Sequence, residues 1–232
     1  MNTKNPSSPF KINDCVRVKD KTTFTTESGS TIDLSGWQGW ITELYPSDEG
    51  KPTVLVHWDA ATLKDMPLWW IQDATCDGDS FIEFGIYERE IEKAQPRGTQ
   101  REAEKIGKRL HSIYSFLDLG EEGERITTVL ETTTKFTEEG FFDAWHQHLR
   151  ANLQVPFEST VEEVQERGAI RAGHKIIVTG IQGVEDLYGI LIKGRWKNEN
   201  VVFPLCDLKA TDKKSPNYQL TSDYAVWFAN RG

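Results

Sequence analysis

A chain of 232 residues with 38% hydrophobic and 27% charged side chains has room for two modest folded domains. Its formal net charge of −9 opposes a nucleic-acid role, because phosphate-backbone affinity comes from Lys and Arg displacing counterions. No apolar run approaches the roughly 20 residues that cross a bilayer, and the polar stretch Met1–Phe10 has no apolar core of the kind a secretory signal needs.

Residues 1–9 are expected to form a flexible tail. From Phe10 to Gln95 the pattern is that of β-structure. Cys15–Val18 alternates apolar and polar side chains, as a half-buried strand does, and so do Trp40–Tyr45 and Thr53–Trp58. Lys21–Gly36, rich in Thr, Ser and Gly, reads as a long loop. Trp69 and Trp70 are adjacent. In an extended segment they point to opposite faces, so one is exposed; this suits an aromatic cage or peptide groove as well as packing at a domain junction.

Between Thr99 and Ala151 the period becomes helical. Ile106, Leu110, Ile113, Tyr114 and Leu117 recur at helical spacing, and Glu104 with Lys108 adds an i,i+4 charge pair. Gly120 and Gly123 break this helix; a second is expected over Ile126–Lys135 and a third from Thr137 through Leu149. From Phe157 the chain is again β-like to its C-terminus. Strands are expected at Lys175–Thr179, Gly189–Lys193 and Glu199–Leu205.

The two β-regions resemble each other. Phe10–Val18 matches Ile170–Val178, Gly39–Leu44 matches Gly189–Lys193, and Val54–Asp59 matches Val202–Asp207, in the same order. That order is the one expected of small SH3-like barrels. The predicted fold is therefore α+β: an SH3-like β-barrel at 10–95, a helical connector at 99–151 and a second SH3-like barrel at 156–232.

Catalytic signatures are missing. There is no nucleophile elbow, phosphate-binding loop or dinucleotide fingerprint, and the histidines do not pair at ligand spacing. The expected protein is not an enzyme. Cys15, Cys76 and Cys206 fit neither a zinc site nor a disulfide framework, so free thiols in a reducing, cytoplasmic setting are expected. Lys193, Arg195 and Lys197 make only a small basic patch, and neither a nucleic acid nor a membrane is an expected partner.

Carboxylates are the remaining chemistry. Calcium takes six to eight oxygens, supplied largely by Asp, Glu and backbone carbonyls. One acidic stretch, Asp73–Glu83 with Gly78, reads as a solvated surface loop. A second set lies in the C-terminal region: Glu185 and Asp186 in a turn, Asp207 at a strand end, Asp212 shortly after, and Asp223 further on. In an SH3-like barrel, loops after alternate strands lie close together. Glu185 and Asp186 are thus expected to converge with Asp207 and Asp212.

The segments Pro156–Val164, Glu185–Ile192, Phe-Pro-Leu-Cys-Asp-Leu at 203–208, and Asp-Tyr-Ala-Val-Trp-Phe-Ala-Asn-Arg at 223–231 resemble the CcbP-type calcium-binding family. The resemblance covers 156–231 and implies Ca2+ bound by Glu185, Asp186, Asp207, Asp212 and Asp223, in an intracellular calcium buffer or regulator. Two positions depart from the pattern. His174 stands where Asp is usual and Lys209 where Glu is usual, and both changes remove negative charge. The acidity is also misplaced: residues 1–95 carry 16 acidic against 9 basic side chains, residues 96–232 only 20 against 18. The alternative expectation is a metal-independent SH3- or Tudor-like module with a protein partner.

Overall fold

A computed structural model describes residues 8–46, 51–162 and 169–231. Most of the expected N-terminal tail, and Glu163 and Val164 of the family-like motif, lie outside these residues. The chain divides into two compact units, Met1–Asp118 and Leu119–Gly232. The helical stretch expected as a connector is shared between them. Both units mix helix with antiparallel sheet, as the α+β expectation required.

In the first unit, strand β1 (Cys15–Val18) points Val16 and Val18 inward, while Arg17 reaches across to Glu92 at 3.1 Å. The Thr-rich loop that follows is not featureless. It contains a hairpin of β2 (Thr23–Thr25) and β3 (Thr31–Asp33), turned at Gly29 with φ of 89° and anchored by buried Ile32. Strand β4 (Gln38–Tyr45) pairs with β1 and with β5 (Thr53–Trp58), whose inward row Val54, Val56 and Trp58 is fully buried. Gly39 is required where β4 meets β5, because a Cβ there would run into the His57 carbonyl oxygen.

Helix α1 (Ala60–Lys64) starts at Asp59, whose Oδ1 accepts from Thr62 N at 2.8 Å while Arg97 grips both carboxylate oxygens. Helix α2 (Leu68–Asp77) contains the Trp69–Trp70 pair, which is therefore helical and not extended. Trp70 is buried and Trp69 is 39% exposed. Pro67 at the N-cap favours this start, since its missing N–H is one the first turn cannot use. Helix α2 also takes in the first part of the acidic stretch expected as a loop, and ends at Gly78 in the left-handed region. Strand β6 (Glu83–Tyr87), a 3₁₀ turn and β7 (Ile91–Lys93) complete a sheet of order β6-β5-β4-β1-β7. Helix α3 (Gln100–Tyr114) opens with a capping box of Thr99 and Glu102.

The second unit begins with α4 (Glu121–Leu130), about five residues earlier than expected. Gly123 does not break it, and Glu121, Glu122 and Glu124 favour a helix N-terminus electrostatically. Helix α5 (Glu138–Asn152) starts as expected at Thr137, whose hydroxyl accepts from Gly140 N. Strands β8 (Phe157–Val161), β9 (Lys175–Glu185), β10 (Gly189–Trp196), β11 (Glu199–Pro204) and, after a 3₁₀ turn, β12 (Leu208–Ala210) form a sheet of order β11-β10-β9-β8-β12. The C-terminal segment, expected to be β-like, ends instead in helix α6 (Pro216–Asn230), capped by Ser215. Its inward face carries Asn217, Thr221 and Asp223 beside Tyr224 and Trp227, so the apolar stripe that marks a helix is interrupted by buried polar groups. No helix among the described residues is long and apolar enough to cross a membrane.

With hairpin β2–β3 set aside, both sheets run fourth, third, second, first, fifth in chain order, and both place a 3₁₀ turn before the fifth strand. The sequence matches do not align equal positions in this plan. Cys15–Val18 is the first strand of its sheet, whereas the matching Lys175–Val178 opens the second strand of the other. What the match reflects is a shared turn. Asp14 Oδ2 accepts from Lys11 N and His174 Nδ1 from Arg171 N, each at 3.0 Å, after left-handed Asn13 and Gly173.

Candidate functional site

The five acidic residues expected to bind a metal lie in the second unit, and the fold sends them to different tasks. Glu185 ends β9 and Asp186 begins the tight turn into β10, where Leu187 and Tyr188 are also exposed. Gly189, at φ of 64°, lets β10 start hard against α6, since a Cβ there would collide with Phe228 and the Tyr224 hydroxyl. That hydroxyl accepts from Ile190 N at 2.7 Å, and burial raises its pKa well above the ordinary tyrosine range. The β9–β10 turn is thereby held at a defined height above α6.

Asp207 closes the 3₁₀ turn after β11. Its backbone carbonyl accepts from Glu162 N, and its Oδ1 lies 3.4 Å from Cys206 Sγ. Cys206 Sγ in turn reaches the Tyr188 carbonyl at 3.9 Å. One cysteine therefore bridges the turn carrying Asp186 and the turn carrying Asp207.

Asp212 and Asp223 have partners of their own. Asp212 Oδ1 accepts from Lys214 N at 2.9 Å, and its carbonyl accepts from Ser215 N, which organises the approach to α6. Asp223 is buried on α6 and takes two hydrogen bonds of 2.8 Å from Arg125 of α4. Donating to the Asp223 carboxylate raises the pKa of the arginine further. Sequence reasoning missed Arg125; nothing in its local pattern distinguishes it from a surface arginine. Among the described residues, no group of three or more His, Cys, Asp and Glu side chains is arranged to hold a metal ion.

The two departures from the acidic pattern are also placed. His174 stacks on Trp196 at 5.4 Å, and Lys209 Nζ lies 5.3 Å from the centre of the Tyr218 ring. Among the described residues, none of the three cysteines is in a disulfide.

Residues 124–228 match the family model named for the calcium-binding protein CcbP and described as calcium binding. The match starts upstream of the 156–231 span expected from the motifs and takes in most of α4 and all of α5. Two solved structures are also similar. The crystal structure of Anabaena CcbP is 17% identical over 47% of this chain and 89% of its own, with a TM-score of 0.39. A calcium-binding protein in its calcium-binding form is 15% identical over 52% of this chain and 89% of its own, with a TM-score of 0.36. Among curated proteins nothing matches. It is the stretch from residue 124 to residue 228 that matches the CcbP calcium-binding family, and the whole first unit lies outside that match.

Proposed function

We propose that the second unit binds calcium through the facing turns at Glu185–Tyr188 and Cys206–Asp207. The observation that carries this reading is the family match over 124–228. The donor chemistry agrees with it: Glu185, Asp186, Asp207 and the Tyr188 carbonyl are hard oxygen donors of the kind calcium takes. Cys206 Sγ lies 3.9 Å from the Tyr188 carbonyl and 3.4 Å from Asp207 Oδ1, so the turns that carry these donors are neighbours. Asp212 and Asp223 contribute indirectly in this reading, by shaping the start of α6 and by fixing α6 to α4.

A binding role in the cytoplasm, as a calcium buffer or regulator and without catalysis, completes the proposal. Three thiols outside any disulfide are consistent with a reducing compartment. The shared strand order and 3₁₀ turn support an SH3-like barrel in each unit. Calorimetric titration of the full chain with calcium tests the function. Heat of binding with a rise in Tm is expected; neither heat nor a shift at millimolar calcium would end the proposal.

A further inference from the structure

The β9–β10 hairpin of the second unit holds apolar side chains out in water at its tip. Leu187, in the turn, is 81% exposed, more than any other large hydrophobic side chain among the described residues, and Tyr188 beside it is 49% exposed. A single exposed leucine needs no cause. This one has company: Val184 on β9 is exposed just before the turn, and Ile177 on β9 and Val202 on β11 are exposed on the strands either side of β10.

Two cations stand among them. Arg195 lies directly opposite Ile177 and Lys193 directly opposite Val202, and directly opposed residues of antiparallel strands point to one face. Both are exposed, and among the described residues neither takes part in an ion pair. The local charge runs against that of the chain: residues 169–211 hold six Lys and Arg against four Asp and Glu, in a protein of net charge −9. Three of those four acids are Glu185, Asp186 and Asp207, the carboxylates proposed above to bind calcium.

These features select an anionic lipid surface. Leucine enters the boundary of the acyl chains, tyrosine sits with its ring apolar and its hydroxyl wet, and Lys and Arg are drawn to lipid phosphates. A nucleic acid would use the cations and leave Leu187 bare. A peptide-binding groove would hold its apolar side chains in a concavity, not at the tip of a turn. The acids beside Leu187 repel an anionic surface until a divalent cation neutralises them, so calcium would govern the contact.

We propose that, with calcium bound, this hairpin and the exposed face of β10 dock on an anionic membrane surface, Leu187 and Tyr188 entering the head-group layer and Lys193 and Arg195 meeting lipid phosphates. The proposal rests on the calcium reading of the Glu185–Tyr188 and Cys206–Asp207 turns. No helix among the described residues is long and apolar enough to cross a bilayer, and this contact involves one leaflet only.

The test is co-sedimentation of the full chain with vesicles of phosphatidylcholine, alone or with about one-third phosphatidylserine, in millimolar calcium or in a calcium chelator. The chain should pellet with the anionic vesicles in calcium and stay in solution under the other conditions. Leu187→Ser, on an exposed turn where folding is little affected, should weaken binding about tenfold, and Lys193→Gln about fivefold. Calcium calorimetry without vesicles should be the same for Leu187→Ser and the unaltered chain, since the leucine side chain offers calcium no oxygen. Calcium heat without pelleting overturns the docking proposal and leaves the calcium reading standing, whereas no calcium heat removes both. Pelleting that ignores calcium, ignores the anionic lipid or is unchanged in Leu187→Ser also overturns the docking proposal. Where the vesicles leave the chain in solution, a calcium-induced dimer abolished by Leu187→Ser in sedimentation velocity assigns the face to a second copy, and binding of a blocked oligoglutamate peptide lost in Lys193→Gln assigns it to an acidic protein partner.

Discussion

Arg125 and Asp223 stand 98 positions apart and face each other through two hydrogen bonds of 2.8 Å, with Asp223 almost wholly buried. The pair ties α4 to α6. Asp223 is acidic, lies inside a family-like motif, and looks from sequence like a metal ligand; its carboxylate is instead committed to a guanidinium.

Removing that carboxylate should cost stability more than ligand affinity. Asp223→Ala leaves Arg125 without its partner, and a fully buried pair broken this way loses about 3–5 kcal/mol. The Arg125 side chain is 37% exposed, so water rescues part of the loss and about 2 kcal/mol is expected. Urea denaturation measures it. A loss within error of zero would show that the pair does not hold the helices together.

The carboxylates proposed to bind calcium should behave in the opposite way. Asp186→Asn and Asp207→Asn lie on exposed or half-buried turns and should leave the urea midpoint nearly unchanged. Each should weaken calcium binding by roughly tenfold, because affinity follows the number of charged oxygens. Calorimetry on the two variants beside Asp212→Asn checks the division of roles. Equal losses in all three would place Asp212 among the ligands.

Two glycines give a paired test of packing. Gly39→Ala drives a methyl into the His57 backbone oxygen, which cannot move without opening the β4–β5 pairing. A loss of about 2–3 kcal/mol is expected. Gly180→Ala in β9 meets nothing within 4 Å and should be close to neutral. Thermal melts of both variants decide it; a neutral Gly39→Ala would mean the strands separate more easily than this register implies.

Mild acid should weaken the second unit. Burial lowers the pKa of His148 below the ordinary 6.5, with Asp223 pulling weakly the other way, and burial also lowers that of His146. The unfolded chain therefore binds these protons first. Stability is fully present above 6.5 and falls as pH drops through that value toward the folded pKa. Melts at about pH 7.5 and about pH 5.5 should show a lower Tm in acid, a window well above the carboxylate titrations. His148→Gln should narrow the gap; an unchanged gap would assign the effect elsewhere.

Local features were legible wherever neighbouring residues carry the signal. Val16 and Val18, or Val54, Val56 and Trp58, alternate because one face of each strand is buried, and Thr137 marks a helix start by its own hydroxyl. Strand β8 escaped notice because its inward positions include Ser159, which is fully buried and donates to the Ile176 carbonyl, so no apolar alternation announces it. Helix α6 was hidden in the same way by Asn217, Thr221 and Asp223.

The sequence by itself determined the acidic balance, the two β-rich regions, the cores of six of the twelve strands and three of the six α-helices among the described residues, and the motifs that led to the family. Only the tertiary structure decided which strand lies beside which, that Trp69 and Trp70 share a helix, and which carboxylates face a turn, a backbone amide or an arginine. The physical reason is range. Periodicity and capping act within a few residues, whereas the partner of a buried polar group is chosen by whichever distant element packing brings against it, as Arg125 is brought to Asp223.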